Sequence, residues 1–195
     1  MADKFVAKYT RILQILPDVA KCTEKHLVLI GGTALALFYL KHRVSVDLDF
    51  VPISGDEKEY KEKIKGCLSK KGYNTRTATF TNQFVIQFED TTIKFEIFYP
   101  THKIAHLESF DVNGVPLLVA SLDDLLKMKI DAYSDRKNVR DLFDLVFILK
   151  NKGGDYSLIK ELIKKYGSPI NMEEIRNYIL NEQDYEFFKE VTNAR

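Results

Sequence analysis

Residues 44–51, VSVDLDFV, alternate between apolar and polar side chains and read as one strand. Side chains at i, i+2 and i+4 of a strand share a face. Val44, Val46, Leu48 and Phe50 are therefore expected on a core face, and Ser45, Asp47 and Asp49 on the other. On an ideal strand the two carboxylates stand about 6–7 Å apart. Like charges at that spacing repel unless a cation or a base offsets them. Hard oxygen ligands of this kind suit Mg²⁺ or Mn²⁺. An Asp-x-Asp pair standing alone is more often a solvated strand face, so its surroundings carry the argument.

Before this strand comes LVLI, a short buried strand, broken by Gly31-Gly32. Residues 33–41 return as a helix. A glycine turn between strand and helix exposes backbone N–H groups where phosphate binds well. Later, TTIKFEIFYP puts Ile93, Phe95 and Ile97 on one face and Lys94 and Glu96 on the other. If that strand lies beside 44–51, Glu96 becomes a third carboxylate. Three carboxylates, two metals and a phosphate ester are the usual parts of two-metal phosphoryl transfer.

The rest of the chain supplies the frame. Residues 3–24 carry apolar positions at helical spacing, with Pro17 expected to end or kink the helix. A charged helix closes at Gly72. Strands are expected near 74–80, 83–89 and 92–99, and Asn113-Gly114 marks a hairpin. After Ala120 the character changes. Ser121 is a helix N-cap, and segments 139–150, 156–166, 171–180 and 182–192 all read as helical. The expected class is α+β: a core over 1–120 and a helical half over 121–195.

A net charge of +1 argues against a uniformly basic surface. The spacing of Cys22 and Cys67 fits no zinc or redox motif and predicts two reduced, buried thiols in a cytoplasmic protein. The charged, amphipathic N-terminus has no signal-peptide character, and no apolar run is long enough to span a membrane.

Together, LIGGTALAL…HRVSVDLDF and ASLDDLLKMKIDAYSDRKNVRDLFDLVFIL resemble the AbiEii-type nucleotidyltransferase toxins, within the DNA polymerase β-like superfamily. The resemblance covers about residues 27–150. Its motifs are Gly31, Gly32 and Thr33 with Ser45, Asp47 and Asp49; then Glu96; then Lys129 in KMKIDA; then Arg140, Asp141 and Asp144 in RDLFDL. It implies a minimal nucleotidyltransferase core, a mixed sheet with helices on one side. It also implies Mg²⁺ (or Mn²⁺) on Asp47, Asp49 and Glu96, and a nucleoside triphosphate as substrate. Catalysis would fall to Asp47, Asp49, Glu96, Lys129 and Asp141. Nucleotide binding would fall to Gly31, Gly32, Thr33, Ser45, Lys129, Arg140 and Asp144. The acceptor would be a hydroxyl, on tRNA or another RNA as in some toxin relatives, on a protein or on a small molecule; the toxin resemblance leaves room for a cognate antitoxin as partner. Two alternatives stay open: an aminoglycoside-type transferase, and an inactive homologue that only binds nucleotide or a partner.

Overall fold

The structure is a computed structural model that describes residues 2–99 and 103–193. Helix α1 (Ala2–Thr23) precedes β1 (Leu27–Ile30). The glycine pair opens α2 (Gly31–Ala34), which continues as a π-helical turn over Leu35–Tyr39. Then come β2 (Asp47–Pro52), α3 (Glu57–Lys70), β3 (Asn74–Thr77), β4 (Gln83–Gln87) and β5 (Thr92–Ile97). The hairpin β6 (Leu107–Val112) and β7 (Val115–Ala120) follows. The helical half holds α4 (Leu122–Arg136), α5 (Val139–Asn151), α6 (Ser157–Tyr166), a 3₁₀ turn (Met172–Asn177) and α7 (Glu182–Asn193).

The seven strands form one mixed sheet in the order β3-β4-β5-β2-β1-β7-β6. β2 runs antiparallel to β1 and parallel to β5. The apolar run of β1 is explained by its interior place in the sheet. Leu29, Leu48, Phe50, Phe84 and Phe95 share a core with Ile12, Ile15 and Val19 of α1 and Ile64 and Leu68 of α3. A second core joins α5, α6 and α7 around Phe143, Val146 and Phe188. Asn113 and Gly114 both take positive φ, the conformation a two-residue type I′ hairpin turn requires. Ser121 caps α4 by accepting from Asp124 N.

Three expectations need correcting. Residues 44–46 are not part of the sheet. Val44 N donates to Tyr178 O, Arg43 bridges Ile179, and Val44 packs in the helical core. The strand proper starts at Asp47, because the second core takes the segment before it. Pro17 does not end α1, which runs on to Thr23. The carbonyl four residues earlier belongs to Leu13, whose residue is half exposed, so water can satisfy it. Finally, Cys22 and Cys67 are not reduced. They form a disulfide between the end of α1 and α3, with Cα atoms 5.8 Å apart.

Candidate active site

Alternation places Asp49 and Glu96 on adjacent parallel strands in direct register, and Asp47 opposite Lys94. Ile30 pairs with Asp49 across β1 and β2, so the chain turns at Gly31 next to the carboxylate. Gly31 has φ +73°, and a side-chain carbon there would stand 2.8 Å from Asp49 Oδ2. Both facts demand glycine.

The carboxylates are unequally compensated. Lys94 Nζ lies 2.9 Å from Glu96 Oε2 and 3.9 Å from Asp47 Oδ2. Asn82 Nδ2 donates to Glu96 Oε1 at 3.2 Å. Burial, then the charge of Asp47, pushes the Asp49 carboxyl up to about 7. Three carboxylates thus share one lysine. Behind them, Thr33 Oγ1 donates to the Asp47 carbonyl and lies 2.9 Å from Ser45 Oγ.

Across a cavity of about 420 Å³ stands α4. Asp49, Gly31 and Gly32 line one side, and Lys129 and Arg136 the other. Lys129 Nζ donates to Asp141 Oδ1 at 2.8 Å and lies 2.7 Å from Asp144 Oδ2. Arg136 grips Asp141 through Nε at 2.6 Å and Nη2 at 2.9 Å. Burial works to raise the Asp141 carboxyl, but Lys129 and then Arg136 outweigh it and hold it below the ordinary range. Asp144 accepts from Arg43 Nε at 2.6 Å and Arg43 Nη2 at 2.7 Å, and its Oδ1 lies 2.8 Å from His42 Nε2. Burial opposes ionisation there too, and Arg43 and Lys129 overcome it, so Asp144 sits well below the usual value. Burial pushes the His42 pKa down despite Asp144, which keeps the ring neutral at pH 7.

The sequence-derived residues therefore divide. Gly31, Gly32, Asp49 and Lys129 line the cavity. Asp47 and Glu96 flank Asp49 on the sheet. Asp141 and Asp144 are wholly buried and act on the cavity through Lys129. Arg140 points elsewhere: its guanidinium lies 5.1 Å over the Tyr178 ring. Three residues escaped sequence reading. Arg136 sits seven residues after Lys129, a helical repeat that could have flagged it. Lys94 is read beside Glu96 on its strand face, but alternation alone gives it no role. Nothing local marks His42 or Arg43, whose partner Asp144 is about a hundred residues away.

Among the described residues no group of three or more His, Cys, Asp or Glu is arranged to hold a metal ion. The donor chemistry of the Asp47–Asp49 pair nonetheless fits a hard divalent cation. Burial first and the charge of Asp47 second push the Asp49 carboxyl upward, and such an ion relieves the second. Glu96 is already engaged by Lys94 and Asn82.

Residues 12–192 match a family described as nucleotidyl transferase AbiEii toxin, type IV toxin–antitoxin system. The match extends past residue 150, where no motif is legible. A comparison with curated proteins finds no significant match. Among solved structures, JHP933 from Helicobacter pylori superposes with a TM-score of 0.56 at 19% identity, over 95% of this chain and 90% of that one. An antigenic nucleotidyltransferase-like protein from Paracoccidioides brasiliensis gives 0.56 at 15% identity, over 91% and 98%. The antibiotic-resistance factor ANT(2″)-Ia gives 0.50 at 12% identity, over 86% and 97%. At these identities the likenesses establish the fold: an α+β nucleotidyltransferase architecture.

Proposed function

The chain belongs to the AbiEii nucleotidyl transferase toxin family, and from that premise we propose that it moves a nucleoside monophosphate from a nucleoside triphosphate to an acceptor hydroxyl. The observation that carries this reading is one cavity that gathers a glycine turn, a carboxylate and two cations. Gly31, Gly32 and Asp49 line its sheet side, and Lys129 and Arg136 line its α4 side, beside Asp131 and Asp135. A polyanion and its counter-ion need cations and a carboxylate within one cavity.

Each group then has a task. The backbone at Gly31 and Gly32 lets phosphate oxygens approach closely. Lys129 and Arg136 offset the triphosphate charge, and Asp141 holds both of them in place. A divalent ion on Asp47 and Asp49 would neutralise the reacting phosphate. Glu96, in register with Asp49, takes the acceptor proton on a carboxylate oxygen as the new O–P bond forms. The bond to the β-phosphate breaks and pyrophosphate leaves. Removing bulk water from these charges strengthens every such contact.

The acceptor favoured here is the 3′ hydroxyl of an RNA such as tRNA, and the family's toxin–antitoxin description supports an antitoxin that restrains the activity. A second reading is a small cationic acceptor of the aminoglycoside kind. It is favoured by Asp131 and Asp135, which also line the cavity, and by the shared fold of ANT(2″)-Ia. No helix among the described residues is long and apolar enough to cross a membrane.

The test is transfer of label from α-³²P nucleoside triphosphates with Mg²⁺. Total RNA, cell protein and aminoglycosides are offered in parallel, and Asp47→Asn is the control. Label on RNA supports the leading reading, and label on an aminoglycoside supports the second. No Asp47-dependent transfer to any acceptor overturns both.

A further inference from the structure

Gly31 and Gly32 are adjacent, but different neighbours require them. Gly31 faces Asp49 at the cavity. A side-chain carbon on Gly32 would instead collide with Arg43 Nη2 and stand 3.0 Å from Ser45 Oγ. Both residues are buried, and neither lines the cavity. The φ of Gly32 is not in the positive range that favours glycine. What holds position 32 to glycine is therefore the guanidinium packed against it.

That guanidinium is fixed on every nitrogen. Nε and Nη2 form a two-pronged bond to Asp144, and Nη1 donates to the Val44 carbonyl at 2.9 Å. Asp144 comes from α5 in the helical half, and it also lies 2.7 Å from Lys129 Nζ at the cavity. One buried carboxylate thus anchors both the support of the glycine turn and the ammonium facing it. Lysine could not replace Arg43, because an ammonium lacks the planar fork.

We propose that Arg43, held by Asp144, is a positioning residue of the nucleotide cradle. It packs against the Gly31-Gly32 turn from the side away from the cavity and sets where the turn's backbone meets the triphosphate. The inference rests on the proposed function, since it takes the turn as the phosphate site. The helical half then completes the cradle, although its Asp144 touches no nucleotide.

The experiment is isothermal titration calorimetry of each ribonucleoside triphosphate with Mg²⁺, with melting temperature measured alongside. Four proteins are compared: wild type, Gly32→Ala, the pair Arg43→Met/Asp144→Asn, and the triple variant. Gly32→Ala should lower affinity about tenfold or more in the wild-type background, the scale of one charge-assisted contact. In the Arg43→Met/Asp144→Asn background it should cost less than about twofold further, because the colliding group is gone. Equal cost in both backgrounds overturns the proposal and returns Gly32 to the triphosphate. Unchanged affinity in the Arg43→Met/Asp144→Asn pair also overturns it. If that pair fails to fold, Arg43→Lys takes its place, with and without Gly32→Ala, because lysine also lacks Nη2. Arg43→Lys should itself bind about tenfold more weakly despite keeping its charge, and wild-type affinity in it sinks the proposal. A wild-type chain that binds no nucleotide defeats the proposed function itself, a different result from either failure above.

Discussion

Asp49 and Lys129 face each other across the cavity under opposite electrostatic conditions. Asp49 has its carboxyl pushed up to about 7 from 3.8, by burial first and Asp47 second. An acid whose folded pKa is raised adds stability at low pH and loses it as pH climbs toward that value. In metal-free protein, this contribution should therefore drain away between about pH 4 and pH 7. Asp49→Asn removes the group, so its melting temperature should exceed wild type by more at pH 8 than at pH 5. Scanning calorimetry in EDTA checks this, and an equal difference at both values would contradict it. Activity should vanish in Asp47→Asn and Asp49→Asn alike. Lys129 is buried, and removing it leaves Asp141 and Asp144 under-compensated. Lys129→Ala should cost about 3–5 kcal/mol of stability, the usual result of breaking a buried pair, and also weaken nucleotide binding. Lys127 serves as the control. It is largely exposed, with Asp124 at 3.4 Å, so Lys127→Ala should change stability by no more than about 0.5 kcal/mol. Urea melts of the two variants decide the matter.

At the scale of elements, the Cys22–Cys67 bridge ties α1 to α3 behind the sheet, across 45 residues. Both helices supply the core that backs β2 and β5, so the bridge steadies the strands carrying the carboxylates. A loop of that length restricts the unfolded chain by about 4 kcal/mol in the chain-entropy view. Reduced protein, or Cys67→Ser, should unfold at correspondingly lower urea, while nucleotide affinity stays within about twofold because the bridge lies outside the cavity. Denaturation with and without dithiothreitol measures the first, and calorimetric titration the second. Equal midpoints would mean that packing alone holds α1 to α3.

For the whole molecule, the split at residue 120 marks a change of architecture. We propose that it does not mark independent folding. Leu125 of α4 and Ile148 of α5 belong to the sheet's core, while Val44 belongs to the helical one. Asp144 reaches back to His42 and Arg43. The chain should therefore unfold in one cooperative transition, and a fragment of residues 1–120 should neither fold nor bind nucleotide. Two separated calorimetric transitions, or a dispersed NMR spectrum from the fragment, would show two domains instead.

Period-two alternation was enough to put Asp47 and Asp49 on one strand face and Glu96 with Lys94 on another, because pleating is a local property of the backbone. Helical spacing was enough to outline α4 and α5, and the Asn-Gly pair to place the hairpin. These regularities repeat every two or 3.6 residues and need no knowledge of distant partners. What meets across the fold has no such signature. Docking of the helical half decided that Val44 leaves the sheet, that Asp144 is sealed away from the cavity, and that Arg140 turns toward Tyr178. It also paired Arg43 with Asp144, 101 residues apart. Packing of α1 on α3 decided that two cysteines 45 residues apart are bonded. The family resemblance pointed to Asp141 and Asp144, and only the tertiary contacts showed what they hold. A buried charge is stable only where a partner compensates it, and for Asp144 that partner comes from 101 residues away.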